Sequence, residues 1–199
     1  MNACSRRLAP AALVAALAAG CLGGPTPEPQ YFTLSSLAPA DGAPVAVRPE
    51  LGLVLGQIDL PRYLDRSELV TRSGPHGLRV WNLQRWGGSL RSDIARVVAE
   101  DLSRLLGTAR IAVYPNEARF PVSYRVLLEL LELGGAPGHP VVLRARWTVA
   151  GPDGRALAVG ASDLEQAPAS ASWADYVAAH RAALGALTHE IAERIAEAS

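Results

Sequence analysis

The chain has 199 residues, of which 49% are hydrophobic, and its 19 basic and 19 acidic residues give a formal net charge of zero. This length and hydrophobic content predict one globular domain with a sizeable core, and exclude two full domains. Every basic residue is an arginine and no run of five or more basic residues is present, so we expect no nucleic-acid partner.

The first twenty residues are organised like a bacterial export signal. Arg6 and Arg7 precede an uncharged run at residues 8–19, which ends in the small side chains that signal peptidases require before their cleavage site. A transmembrane helix needs about 20 apolar residues, whereas this run is shorter and is interrupted by Pro10. We therefore expect residues 1–20 to be a signal peptide and not a membrane span.

The two cysteines of the chain, Cys4 and Cys21, both lie at this end, so the rest of the protein can form neither a disulfide nor a zinc ribbon. Residues 17–21, LAAGC, resemble the bacterial lipobox, in which small residues precede a cysteine that receives a diacylglycerol thioether. On this interpretation Cys21 begins the mature chain and carries fatty acyl groups, such as palmitate, that anchor it to a membrane. An ordinary signal peptide with a cysteine near its cleavage site is the alternative.

Residues 22–30, LGGPTPEPQ, are rich in glycine and proline and show no hydrophobic periodicity. This composition is typical of an extended linker. Nine such residues, at up to about 3.3 Å each, reach roughly 30 Å. We expect residues 21–30 to be the lipidated cysteine and a flexible tether, and residues 31–199 to be a single domain.

The first half of this domain begins with strand patterns. Apolar residues predict strands at 31–34 and at 51–60, and Pro61 ends the second of them. The segments 68–72 and 78–81 flank a turn rich in glycine and proline and predict a hairpin.

An amphipathic helix is predicted next, because apolar residues recur at helical spacing from Leu90 to Leu106. Ser89 is its expected N-cap and Gly107 its expected C-terminal stop. A strand at 111–114 follows.

The segment that starts at Val122, VSYRVLLELLEL, fits two structures. LLELLEL has a spacing that a helix could use, whereas Val122, Tyr124 and Val126 alternate as in a strand. The leading β-formers favour the strand. Alternation also predicts a strand at 141–149, and the turn at 151–154 joins it to a further antiparallel strand at 155–164.

A second amphipathic helix begins at Ser172, whose spacing to Asp175 resembles a capping box. Taken together, the elements predict an α+β fold with a single domain, in which a mostly antiparallel sheet packs against two amphipathic helices.

The sequence shows no pattern typical of catalysis or cofactor binding. The glycine-rich stretch at 134–138 lacks the lysine and the following helix of a phosphate loop. His180 and His189 lie nine residues apart, on opposite sides of a helix, and cannot share a metal ion. Ser89 is better explained as a helix cap than as a nucleophile. We therefore expect no enzyme, cofactor or metal, and an envelope hydrolase is the weakest alternative.

Residues 53–107 resemble the PqiC/YmbA family, the auxiliary lipoproteins of ABC-type and MCE-type transport systems. The similarity rests on five pieces of sequence: Leu60-Pro61 at a strand end, Tyr63-Leu64-Asp65-Arg66, Val70-Thr71-Arg72, Arg85-Trp86 before a helix, and Asp101-Leu102 with Leu105-Leu106 near that helix's end. The YFTL segment at 31–34 and the C-terminal helix that opens with Trp173 extend the similarity over nearly the whole mature chain.

The resemblance implies a non-catalytic lipoprotein at the periplasmic face of the outer membrane. It implies that the protein assists ABC-type or MCE-type transporter subunits in moving lipid between membranes and in maintaining the envelope. The alternative is a periplasmic carrier that holds lipid in a cavity between the sheet and the two helices. Whether the domain binds lipid or forms homo-oligomers stays open.

Six residues within the similar region are candidates for partner contact, since arginine and aromatic side chains are enriched at interface hot spots. They are Tyr63, Leu64, Asp65, Arg66, Arg85 and Trp86. The structural alternative is that Asp65 and Arg66 hold a turn and that Trp86 fastens the helix to the sheet.

Overall fold

The computed structural model describes residues 27–35 and 43–198. The expected signal peptide, Cys21 and the first part of the tether lie outside these ranges. Within them the chain forms ten elements: β1 (Gln30–Phe32), β2 (Leu53–Asp59), β3 (Glu68–Arg72), β4 (Leu78–Trp86), α1 (Leu90–Leu105), β5 (Ile111–Val113), β6 (Tyr124–Gly134), β7 (Val141–Ala150), β8 (Ala156–Gln166) and α2 (Trp173–Glu197). No helix in the described ranges has the length and apolar character that crossing a bilayer requires.

The strands form two sheets, one of three strands in the order β1-β4-β3 and one of five in the order β5-β2-β6-β7-β8. The β6–β7 and β7–β8 ladders are antiparallel, whereas β2 runs parallel to both β5 and β6. The α+β class and the two helices are confirmed. The five-stranded sheet is mixed because the connection from β2 to β5, which includes α1, crosses over and returns the chain parallel to β2. The three-stranded sheet is mixed because β1 is parallel to β4 while β3 is antiparallel to it.

The predicted helix starts are present as hydrogen bonds. The Ser89 hydroxyl accepts a hydrogen bond from the backbone N–H of Ser92 at 3.3 Å, and the Ser172 hydroxyl accepts one from the N–H of Asp175 at 3.0 Å. Each bond satisfies one of the backbone donors that a helix leaves without an intrahelical partner. Gly107 follows α1 with φ of +61°, a conformation that glycine adopts without a steric penalty.

The segment that fitted either helix or strand is a strand, β6. Tyr124, Val126, Leu128 and Leu130 are buried in alternation with exposed residues. A bulge between Leu130 and Glu132 then shifts the register, so that Glu132 lies opposite Arg144 of β7. The bulge places this carboxylate beside a cation on the neighbouring strand.

The core lies between the five-stranded sheet and the helices. Facing side chains from the two layers are fully buried, among them Val126 and Leu143 from the sheet and Leu184 and Leu187 from α2, each 0% exposed. Side chains from both layers fill this part of the described chain. The opposite face of the sheet carries exposed residues.

Tyr176 of α2 joins the two sheets. Its buried hydroxyl accepts a hydrogen bond from the N–H of Gly135 at 3.2 Å and lies 3.4 Å from the carbonyl oxygen of Val70 in β3. Next to it, the N–H of Arg72 donates to the carbonyl oxygen of Gly135 at 2.8 Å. The end of β3 therefore meets the end of β6, and α2 packs over the junction.

Candidate partner-binding surfaces

The six residues predicted to contact a partner divide into a buried and an exposed group. Leu64 and Trp86 belong to the core and are only 6% and 5% exposed. Trp86 packs edge to face against the His180 ring, with ring centroids 6.0 Å apart. Both side chains are therefore part of the hydrophobic core and contribute little to the surface of the domain.

The polar members lie together where the β2–β3 connection meets the start of α1. Asp65 forms an ion pair with Arg91 of α1 at 2.9 Å. Glu68 forms ion pairs with Arg66 at 3.0 Å and with Arg85 at 2.8 Å. We call these five residues the arginine cluster. The hydrogen bond from Arg66 is the main cause that lowers the pKa of Glu68. Three guanidinium groups against two carboxylates leave the cluster with one excess positive charge.

Tyr63 is half-buried and lies beside a second network of charges. Burial raises the pKa of its phenol, and the charges of Arg72 and Glu132 act on it with opposite signs. Glu132 accepts hydrogen bonds from Arg72 at 2.6 Å and from Arg144 at 3.2 Å. The bulge in β6 makes this network possible, because it turns Glu132 toward both arginines.

A row of aromatic side chains connects the three-stranded sheet to α2. The Arg79 guanidinium lies 3.8 Å from the centroid of the Trp81 ring, a cation–π contact. Trp81 meets Trp173 edge to face at 5.0 Å, and Tyr176 meets His180 in the same way at 4.4 Å. These contacts fix the start of α2 against β4.

His180 ends this row inside the core. Its Nδ1 lies 2.9 Å from the carbonyl oxygen of Tyr176, and burial lowers the pKa of the imidazole to about 4. At neutral pH the ring is therefore uncharged. His180 is only 3% exposed, and its ring packs edge to face against Trp86 and Tyr176.

The sequence did not predict a groove on the open face of the five-stranded sheet. This groove has a volume of about 760 Å³. Leu127, Thr148 and Val159 lie side by side across β6, β7 and β8, and the two apolar members are 51% and 73% exposed. Glu129 and Arg146, 3.7 Å apart, lie on the neighbouring row. The sequence did contain one signal for this surface. Leu127 shares its face of β6 with the charged residues Arg125 and Glu129, so an apolar side chain stands on the solvent-exposed face of the strand.

The charged side chains at these surfaces are engaged in ion pairs. The carboxylates and guanidinium groups of the arginine cluster are paired with one another. Across the described ranges, no group of three or more histidine, cysteine, aspartate or glutamate side chains could hold a metal ion.

Comparison with models of protein families shows to which family the chain belongs. A family model described as the ABC-type transport auxiliary lipoprotein component matches residues 32–192. The chain belongs to this family. The resemblance noted from residues 53–107 is thereby confirmed, and the family description is that of a transport component. No curated protein sequence matches the chain.

Solved structures share the fold. One uncharacterized protein matches with a TM-score of 0.69 at 16% sequence identity, covering 84% of this chain and 99% of that one. Protein XCC0632 from Xanthomonas campestris matches with a TM-score of 0.67 at 15% identity, covering 85% of this chain and 95% of its own. Both structures therefore share the fold over most of this chain.

Proposed function

We propose that this protein is a non-catalytic subunit of an ABC-type or MCE-type system that moves lipid between membranes, and that it is held at the periplasmic face of the outer membrane by acyl groups on Cys21. In this role it supports envelope integrity. The observation that carries the proposal is the family match across residues 32–192.

The described surface supports a binding role. The packed core and the tightly paired charges of the arginine cluster give the domain a preformed surface at the start of α1, and preformed surfaces lose less conformational entropy on association. Arginine forms planar hydrogen-bonded pairs with carboxylates, which suits it to protein interfaces.

We further propose that Asp65, Arg66 and Arg85 contact the transporter subunit, with Tyr63 beside them. Leu64 and Trp86 hold this surface in place from the core. In this proposal the exposed residues of the segment contact the partner, and its buried residues hold them in position.

Co-purification from detergent-solubilised membranes tests this surface. Asp65→Arg removes the carboxylate that pairs with Arg91 and adds a positive charge, so we expect recovery of the transporter subunits to fall. Asp163→Arg is a matched control, because Asp163 is also an exposed carboxylate that pairs with an arginine, Arg144, at 3.1 Å. Exposed ion pairs are worth about 0–1 kcal/mol, so both variants should fold.

The co-purification results distinguish the proposed contact surface from the proposed transport role. Loss of the partner with Asp65→Arg alone supports the arginine cluster. Equal recovery from both variants would contradict the cluster while leaving the transport role standing. If the unmodified protein recovers no permease, ATPase or MCE-domain protein, the transport role itself is contradicted.

The groove on the open sheet face favours a second candidate function, that of a lipid-binding carrier. Its exposed Leu127 and Val159 offer an apolar strip that an acyl chain could cover. Mass spectrometry of lipids extracted from protein without its acylated tether distinguishes the two. Bound phospholipid that is lost in Leu127→Glu supports the carrier, and its absence from the unmodified domain contradicts it.

A further inference from the structure

The direction in which the tether leaves the domain is set by the pairing of β1. This strand runs parallel to β4, with Gln30 opposite Gln84 and Phe32 opposite Trp86. The beginning of β1 therefore points the same way as the beginning of β4, which is Leu78. Leu78 directly follows the turn of the β3–β4 hairpin, so the chain enters β1 from the side of the sheet on which this turn lies.

Distances along the chain bring the expected lipid close to this turn. Cys21 precedes Gln30 by nine residues, which extend at most roughly 30 Å. Leu78 precedes Gln84 by six residues, which in a strand span about 20 Å. An anchor on Cys21 can therefore bring the hairpin turn to the membrane surface without stretching the tether.

The hairpin exposes apolar side chains at this end. Leu78 is 45% exposed and Val80 38%, and the two lie on one face of β4 because they are two residues apart. Leu83, further along the strand, is 37% exposed. We call these three residues the hairpin patch.

The charges around the patch suit an anionic surface. Residues 69–84 contain two arginines, Arg72 and Arg79, and no aspartate or glutamate. The Arg72 charge is paired with Glu132, whereas Arg79 lies on the Trp81 ring. Arg79 and Trp81 alternate with Leu78 and Val80 along β4 and therefore lie on its other face, where Trp81 meets Trp173. The two faces of this end of the hairpin together carry aliphatic, tryptophan and arginine side chains, the residue types that occur at membrane interfaces.

We propose that the hairpin patch lies against the phospholipid surface that holds Cys21. The inference rests on the proposed lipidation. The acyl chains supply the affinity for the bilayer, since each buried methylene contributes about 0.8 kcal/mol. The patch supplies orientation, because two points of attachment restrict how the domain can turn on its tether. The surfaces that a partner recognises are thereby held at a defined angle to the membrane.

Fluorescence quenching on the lipidated protein tests the orientation. Lipidation blocks the Cys21 thiol, and Cys4 leaves with the signal peptide, so one introduced cysteine gives a single labelling site. A bimane label on Leu78→Cys is compared with one on Val159→Cys, whose position on the open sheet face is 73% exposed. Both proteins are placed in vesicles of phosphatidylethanolamine and phosphatidylglycerol that contain nitroxide-labelled lipid.

We expect the lipid nitroxide to reduce the fluorescence at position 78 and to leave position 159 unchanged, and Val80→Glu to abolish the quenching at 78. Quenching at neither position, or equally at both, would overturn the proposed orientation. A label at 78 protected from both the lipid nitroxide and aqueous iodide would also overturn it, since a protein would then cover the patch.

Intact mass of the same samples separates this inference from the proposed function. An acylated chain without quenching at position 78 contradicts the orientation alone. A chain with an unmodified Cys21 contradicts the anchor, and the orientation with it.

Discussion

The hydroxyl of Tyr176 accepts a hydrogen bond from the buried N–H of Gly135, and this contact joins α2 to the point where the two sheets meet. The hydroxyl also lies 3.4 Å from the carbonyl oxygens of Val70 and Gly135. Burial raises the pKa of the phenol to about 12, so it remains protonated and able to donate throughout the physiological range.

Tyr176→Phe is expected to destabilise the fold. The variant leaves the Gly135 N–H buried without an acceptor, which costs about 1–3 kcal/mol of unfolding free energy. Urea unfolding followed by tryptophan fluorescence measures the loss. Tyr114→Phe is the control, because Tyr114 is 57% exposed and its hydroxyl is free to bond to water. Equal stabilities for the two variants would show that the hydroxyl does not hold the junction.

Gly160→Ala is expected to destabilise β8. A Cβ at Gly160 would lie 2.1 Å from Cζ2 of Trp147, which stands directly opposite on β7. The indole is held there by its hydrogen bond to Ser162 at 3.1 Å. Overpacking of this kind costs typically about 1–3 kcal/mol.

Gly88→Ala is the control for that variant, since an added Cβ at Gly88 has no heavy atom within 4 Å. The unfolding free energies of the two alanine variants are compared by urea denaturation. If Gly160→Ala were as stable as Gly88→Ala, the indole would have to have moved away from the strand. Combining Gly160→Ala with Trp147→Leu should cost less than the sum of the two changes, because the clash is removed.

His180 is expected to make stability depend on pH. Its pKa falls from 6.5 to about 4 on folding, so below pH 6.5 the unfolded chain binds a proton that the folded chain does not. The stabilisation is present in full above pH 6.5 and is lost as the pH falls toward 4, by on the order of 3 kcal/mol in total.

Unfolding free energies measured between neutral pH and pH 4 check this expectation. The unfolding free energy should decrease less between neutral pH and pH 4 in His180→Gln than in the unmodified protein. His189→Gln is the control for the substitution itself, because it makes the same change at a side chain that is 46% exposed. A curve for His180→Gln that is parallel to the unmodified one would contradict a neutral buried imidazole.

The helix starts and strand β6 could be predicted from the sequence, because they depend on residues that are close together in the chain. Serine hydroxyls at 89 and 172 satisfy backbone donors within three residues, so both helix starts could be identified without knowing the fold. Alternation along β6 likewise reports burial on one face, which decided between strand and helix.

Features that depend on distant pairing were not predicted. The strand expected at 78–81 continues to Trp86, because Gln84–Trp86 pair with β1, more than fifty residues earlier in the chain. The division into two sheets has the same origin. The burial of Leu64 and Trp86 could not be read from a segment rich in charged residues, since the covering side chains come from other elements.

The central claim is that acyl groups on Cys21 fasten a non-catalytic binding domain to a membrane, where it serves a transport system. Mass spectrometry of the N-terminal peptide of the protein purified from native membranes tests it most directly. The account predicts a mature chain that begins at Cys21 and carries a diacylglycerol thioether, and predicts that Cys21→Ser abolishes the modification while Cys4→Ser preserves it. A chain that retains residues 1–20, or that begins at Cys21 with an unmodified thiol, would contradict the account.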